Sequence, residues 1–255
     1  MIEFAQKLND APLGKTHLFS VGQAGFIVKT RLGKFLGIDL YLSDCVERLE
    51  HSMDVKRLLP KLLNPSEITF DYIIATHSHR DHFDEDSMSD LIQPKTKLFA
   101  SITCEKEVEQ LGISKQNCRF VKVGESYVDD DVELHFVFCD HGIGAPDAFG
   151  VVLCTDEIRL FFAGDTCIRM DKVDYFNQFG PFDCLVAPIN GAWGNMNEGD
   201  CAQFAQAIQT KVTIPCHYGM FPSHGGNPGL FTTIMAETYR TNAYYIMTQG
   251  EQLTF

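Results

Sequence analysis

The chain predicts an α/β fold in which two β-sheets are layered face to face and helices cover their outer sides. Three observations carry that expectation. Short apolar strand-like runs dominate the start and middle of the sequence, helical periodicity is interspersed and concentrates late, and 45% hydrophobic against 22% charged residues over 255 positions supplies a sizeable core. No low-complexity tract, linker, charge block or repeat divides the chain, so 1–255 reads as a single domain.

In chain order, Thr16 to Val21, Gly25 to Thr30 and Lys34 to Asp39 read as strands joined by Gly-containing turns. A helix is expected over Ser52 to Leu63, with Leu58, Leu59, Leu62 and Leu63 on one face and Pro65-Ser66 ending it. Strands and helices then alternate: strand Asp71 to Thr76, helix Asp84 to Ile92, strand Lys97 to Ser101, helix Thr103 to Leu111. Four strands follow, Arg119 to Val123, Val132 to Cys139, Phe149 to Cys154 and Ile158 to Ala163. The remainder reads as helix Lys172 to Gln178, strand Cys184 to Ala187, helix Glu198 to Gln209, strand Lys211 to Pro215, helix Gly229 to Tyr239 and strand Ala243 to Met247.

Composition removes several functions. With 34 Asp and Glu against 21 Lys and Arg, the net charge is −13, which repels phosphate backbones, and no basic run exceeds a pair; nucleic acid is excluded as a partner. No stretch reaches the ~18 apolar residues of a membrane span, and Glu3 and Asp10 stand where a signal peptide is basic and then apolar. Nine scattered cysteines without a C-x-x-C pair fit free thiols in a reducing compartment. The expectation is a cytoplasmic protein.

The chemistry gathers where strands end. The run Tyr72 to Thr76 delivers His77, His79, Asp81 and His82 in the pattern H-S-H-R-D-H; later strands deliver His141, Asp165 and His217. Buried strands aim the side chains after them at one point. Within the first cluster, His77 and His79 can turn toward one cation while Asp81 and His82 face a second, with Asp165 shared. Five imidazoles and two carboxylates suit Zn²⁺ or Mn²⁺.

This H-x-H-x-D-H cluster, followed by a separate His, Gly164-Asp165-Thr166 and a late His, resembles the metallo-β-lactamase superfamily. Gly22-Gln23-Ala24-Gly25-Phe26, Asp39 to Asp44, Gly194-Asn195-Met196 and Pro215 to Phe221 resemble its L-ascorbate-6-phosphate lactonase group. The resemblance implies a four-layer αββα sandwich and two divalent ions: one held by His77, His79 and His141, the other by Asp81, His82 and His217, with Asp165 bridging. It also implies a hydrolase that opens a small anionic ester or lactone. The chain departs from the group in its shorter length, with only Ala192, Trp193 and Gly194 between Gly191 and Asn195.

Such a pair of ions lowers the pKa of a bound water and polarises the scissile carbonyl, and Asp81 is the residue expected to orient that water and pass its proton to the leaving group. Asp39 and Asp44 are candidates to receive an imidazole N–H. Tyr218 and His224, in the Gly- and Pro-rich stretch after His217, are candidate substrate contacts. Arg80 is expected to point away into an ion pair. His135 belongs to a polar strand face, and Cys167 and Cys216 to packing. Two other activities stay open: a phosphodiesterase acting on a small phosphodiester, and a non-hydrolytic metal-bound sensor or di-iron redox protein. The partner is a small-molecule substrate; whether the chain forms a homo-oligomer stays open.

Overall fold

A computed structural model of the chain describes residues 3–51, 54–155 and 158–255. Numbered along the chain, the first sheet holds β1 (His17–Gly22), β2 (Gly25–Lys29), β3 (Phe35–Ile38), β4 (Tyr72–Ala75), β5 (Lys97–Ala100), β6 (Cys118–Phe120) and β14 (Gln252–Thr254), in the spatial order β14-β1-β2-β3-β4-β5-β6. The second holds β7 (Ser126–Val128), β8 (Glu133–Phe138), β9 (Phe149–Cys154), β10 (Arg159–Phe162), β11 (Cys184–Pro188), β12 (Val212–Cys216) and β13 (Ala243–Tyr244), in the order β13-β12-β11-β10-β9-β8-β7. Each sheet pairs antiparallel at one side and parallel at the other: β3 to β6 run parallel, as do β10 to β13.

The period-two pattern of the strands explains the layering. Leu18, Phe26, Val28, Leu36, Ile38 and Ile74 of the first sheet face Phe136, Phe149, Val151, Leu153, Leu160 and Ile214 of the second and form the core between them. Their neighbours point the other way. Phe19, Ile27, Ile73 and Leu98 pack under α1 (Phe4–Asp10), α3 (Glu85–Leu91) and α4 (Glu105–Gln110). Val152, Phe161, Leu185 and Ala187 pack under α5 (Val173–Asn177), α6 (Glu198–Ala207) and α7 (Pro228–Thr238). Strands buried on both faces are therefore near-continuously apolar, and the expected helix-sheet-sheet-helix order is present.

Each expected strand finds a counterpart, with β6 and β13 shorter than read and β7 and β14 added. The expected helix over Ser52 to Leu63 does not form in its described part; Ser52 and Met53 lie outside the described residues. Pro60 offers no N–H and its ring clashes with the preceding turn. The segment is held instead by the Leu58 N–H donating to Met220 O at 2.9 Å and by the Arg57 guanidinium donating to Ser43 O and Leu59 O at 2.8 Å. The leucines divide accordingly, Leu63 entering the outer core of the first sheet and Leu59 packing beside Tyr41 and Phe221. The turn of helix in this region is α2 (Cys45–Leu49).

Away from the strand ends that carry the chemistry, Asp129 ties the sheets together. It accepts from Lys34 Nζ at 2.7 Å, from the Tyr72 hydroxyl and from the N–H groups of Asp131 and Val132 at 2.8 and 2.9 Å. Burial alone would raise its pKa, but these donors bring it down from 3.8 to about 2. A depressed carboxyl stabilises the fold above its unfolded value and loses that contribution as pH falls through the folded one. Acid titration of stability should therefore show a loss of about 2 kcal/mol between pH ~5 and ~2 that Asp129→Asn lacks; parallel curves for both proteins would refute the assignment.

Candidate metal centre

The centre forms where strands of both sheets end on the same side. After β4, Thr76 leads into a tight loop in which the His82 and Phe83 N–H groups both donate to His79 O, at 2.9 and 2.7 Å. That turn brings His77, His79, Asp81 and His82 together, with the His77 ring 4.5 Å from that of His79 and 4.1 Å from that of His82. β8 runs into His141, β10 into Asp165 and β12 into His217. Gly164, at φ 69, makes the bend before Asp165; a Cβ there would sit 3.0 Å from Phe149 O, so only glycine fits without strain.

The seven expected side chains converge. His77 Nε2 is 2.9 Å from His79 Nδ1, and His141 Nε2 is 3.2 Å from the same atom. On the other side, His217 Nε2 lies 3.3 Å from Asp81 Oδ2, and His82 Nε2 lies 3.6 Å from it. Asp165 stands between the two groups: its Oδ2 is 3.1 Å from His217 Nε2 and 3.8 Å from His141 Nε2, and its Oδ1 is 3.4 Å from His82 Nε2. His77, His79 and His141 offer ligand atoms within 4.8 Å of one another, as do Asp81, His82 and His217.

The chemistry of this set fits cations. His77 and His82 are fully buried, and while His82 Nδ1 faces Asp39 at 2.9 Å, His82 Nε2 and Asp165 Oδ1 have no hydrogen bond among the described residues, a costly state unless another group satisfies those atoms. Burial holds the His77, His79 and His141 rings below the ordinary histidine pKa, leaving neutral nitrogens of the kind that coordinate metals. Burial would do the same to His82 and His217, but Asp165 and Asp81 raise both, His217 to about 9. Asp81 and Asp165 stay ionised far below the usual carboxylate range; burial opposes this and the His82 and His217 charges prevail. Protons on those two rings thus occupy the place a cation would take. The His and Asp cluster is able to hold metal ions.

Supporting residues come from further away. Asp39, at φ 47 just past β3, accepts from the Thr76 N–H and hydroxyl at 2.8 Å each and lies 2.9 Å from His82 Nδ1. Asp44 does not take this part; it pairs with Lys61 at 2.5 Å on the surface. Gln23, in the β1–β2 turn at φ 55, donates to Asp81 Oδ2 at 2.9 Å and lies 3.1 Å from His217 Nε2. Asn195 donates to Asp165 Oδ2 at 2.8 Å. Gln23 and Asn195 fell within motif stretches of the sequence but nothing local marked them as reaching a ligand. Groups that orient metal ligands set their affinity, so Asp39→Ala should weaken metal binding about 10–100-fold in a chelator-competition titration; unchanged affinity would remove Asp39 from the site.

The ligands open onto a cavity of about 440 Å³, lined among others by Arg80, Glu50, Glu85, Glu107, Trp193 and His224. His224 is buried, its ring stacked on His217 at 5.4 Å and against Trp193 at 4.4 Å; burial lowers its pKa to about 4. Tyr218 is placed elsewhere, lining a separate cavity with Cys216 and Met247. Arg80 does form the expected ion pairs, with Glu50 and with Glu85 at 2.7 Å. It still lines the cavity, and no other arginine or lysine does so among the described residues. His135 is half-buried at 3.0 Å from Glu133, and Cys216 lies in the core between the sheets.

Residues 41–218 match the family model described as the β-lactamase superfamily domain. The chain belongs to the metallo-β-lactamase superfamily. Among its relatives, a UPF0173 metal-dependent hydrolase of Aeropyrum pernix is 29% identical over 208 residues, 76% of this chain and 84% of that protein. A possible metal-dependent hydrolase of Veillonella parvula superposes with a TM-score of 0.76 at 16% identity, covering 96% of this chain and 100% of that one. The metallo hydrolase Igni18 of Ignicoccus hospitalis gives 0.72 at 19% identity, covering 94% and 98%. Membership of the superfamily accounts for the fold. No helix among the described residues is long and apolar enough to cross a membrane.

Proposed function

We propose that the chain is a metal-dependent hydrolase that opens a small ester or lactone with two divalent ions, zinc or manganese. The observation that carries this reading is the position of Asp165 between two ligand groups at the floor of a solvent-reaching cavity. His77, His79 and His141 would hold one ion, Asp81, His82 and His217 the other, and Asp165 both. When bound, the pair supplies an activated water and Lewis-acid polarisation of the scissile carbonyl.

The chain's own residues do the rest. Asp81, anchored through Oδ2 by Gln23, takes the proton of the attacking water and returns it to the leaving oxygen. Asn195 fixes the orientation of Asp165 through its Nδ2 donor. His224 stays neutral against His217 and offers a flat wall to the substrate. No Ser or Cys nucleophile is called for: Cys139 and Cys216 are buried, and burial, with Asp165 next, raises their thiol pKa values well above the ordinary range.

The test is turnover by metal-reconstituted protein across simple esters, lactones, ascorbate-6-phosphate, thioesters and aryl phosphodiesters. Ester or lactone hydrolysis that a chelator abolishes and added metal restores is the expected result. Faster cleavage of the phosphodiesters, or no metal by elemental analysis after reconstitution, would overturn it.

A further inference from the structure

A separate cavity of about 560 Å³ opens at the far end of β8 from His141, with Glu133 and Cys154 in its wall. The antiparallel register sets Glu133 of β8 directly opposite Cys154 of β9, and the period of two puts His135 on the same face as Glu133. The three side chains meet there. His135 Nε2 is 3.0 Å from Glu133 Oε1, and one ligand atom from each of Glu133, His135 and Cys154 lies within 4.8 Å of the other two. The cations of the same cavity are engaged elsewhere: Lys211 pairs with Asp183 at 2.7 Å, and the Arg159 guanidinium donates to Phe179 O and Gly180 O. A half-exposed Glu–His pair contributes little to stability by itself and calls for no thiol beside it. A carboxylate, an imidazole and a thiol at one point are the mixed donor set of a borderline divalent ion.

We infer that Glu133, His135 and Cys154 form a separate metal site, for a thiophilic divalent ion of the zinc type, on the outer face of the second sheet. Among the described residues the group has three members, so a tetrahedral ion keeps one position for water from the cavity. The ligands sit on two strands already paired, which places them before the ion arrives. Binding replaces the Cys154 S–H bond by a sulfur–metal bond and sends the proton to solvent. Burial, against the lowering pull of Arg159, raises that thiol to about 11, so the ion itself supplies the charge that removes the proton. With His135 and His141 six positions apart along β8 and its extension, the site lies about 20 Å from the first centre. It touches none of the residues proposed for hydrolysis and stands whether or not that reading does.

The seven ligands of the first centre are nitrogen and oxygen donors, so a thiolate-to-cobalt charge-transfer band reports on this site alone. Metal-free full-length protein is titrated with Co²⁺ and followed in the near ultraviolet. The band should appear, saturate at one sulfur-bound ion per chain and bleach when Zn²⁺ is added. Cys154→Ser should abolish it. His135→Gln and Glu133→Gln, at side chains 26% and 46% exposed that the fold can spare, should each shift its midpoint to at least about tenfold more cobalt. Asp165→Asn, which disables the first centre, should leave the band in place. Absence of the band, its survival in Cys154→Ser, or midpoints unchanged in both His135→Gln and Glu133→Gln overturns the inference. Should Cys154→Ser fail to fold, the two exposed variants decide.

Discussion

Asp165→Asn should lower kcat/KM by at least about a thousandfold, or ~4 kcal/mol of transition-state stabilisation. The substitution keeps shape and changes charge. Asp165 is the one carboxylate within reach of His82, His141 and His217 together, so its loss uncouples the two ligand groups and leaves two buried rings facing less negative charge. Metal content should fall with the rate, while the secondary structure, measured by circular dichroism, stays. Asn195→Ala provides the scale: it removes only the donor that orients Asp165 and should cost about 10–100-fold. Full activity in Asp165→Asn would dissolve the bridging role and with it the site assignment.

The second large effect is on stability. Phe136 is fully buried in the core between the sheets, its ring 5.5 Å from Phe99 of the first sheet and 5.2 Å from Phe149 of its own. Phe136→Ala leaves a cavity between two pleated surfaces that twist against each other and cannot easily collapse, so the cost should be ~3–5 kcal/mol. For a chain of this size that corresponds to a fall in Tm of about 10 °C, read by thermal denaturation. A loss under ~1 kcal/mol would mean that the two sheets are not held by this layer.

The strands were legible because burial on both faces makes them continuous apolar runs, and the seven candidate ligands because each follows such a run. Local pattern failed where a distant contact decides. Leu58, Leu59, Leu62 and Leu63 have helical spacing, yet Pro60 and the bond from Leu58 to Met220 draw the segment across two cores. Gln23 reaches Asp81 and His217 from 58 and 194 positions away, and no spacing rule spans such separations. Asp39 and Asp44 looked equivalent beside their loop; which of them meets an imidazole follows from the parallel pairing of β3 with β4, which sets Asp39 against Thr76. Tyr218 follows a ligand directly and still faces another cavity, since His217, at φ 62, turns the chain between them.

The division of the ligands between the sheets has a thermodynamic side. His77, His79, Asp81 and His82 leave the first sheet, while His141, Asp165 and His217 leave the second, so an ion held by the proposed set would act as a rivet across the seam. Unfolding must then release the metal, and the melting point becomes a function of free metal activity. Each ion at a hundredfold excess over its dissociation constant adds about 2.7 kcal/mol. A chelator should lower Tm in this protein even at catalytic dilution, and a plot of Tm against metal concentration should rise without a plateau well past saturation of the rate.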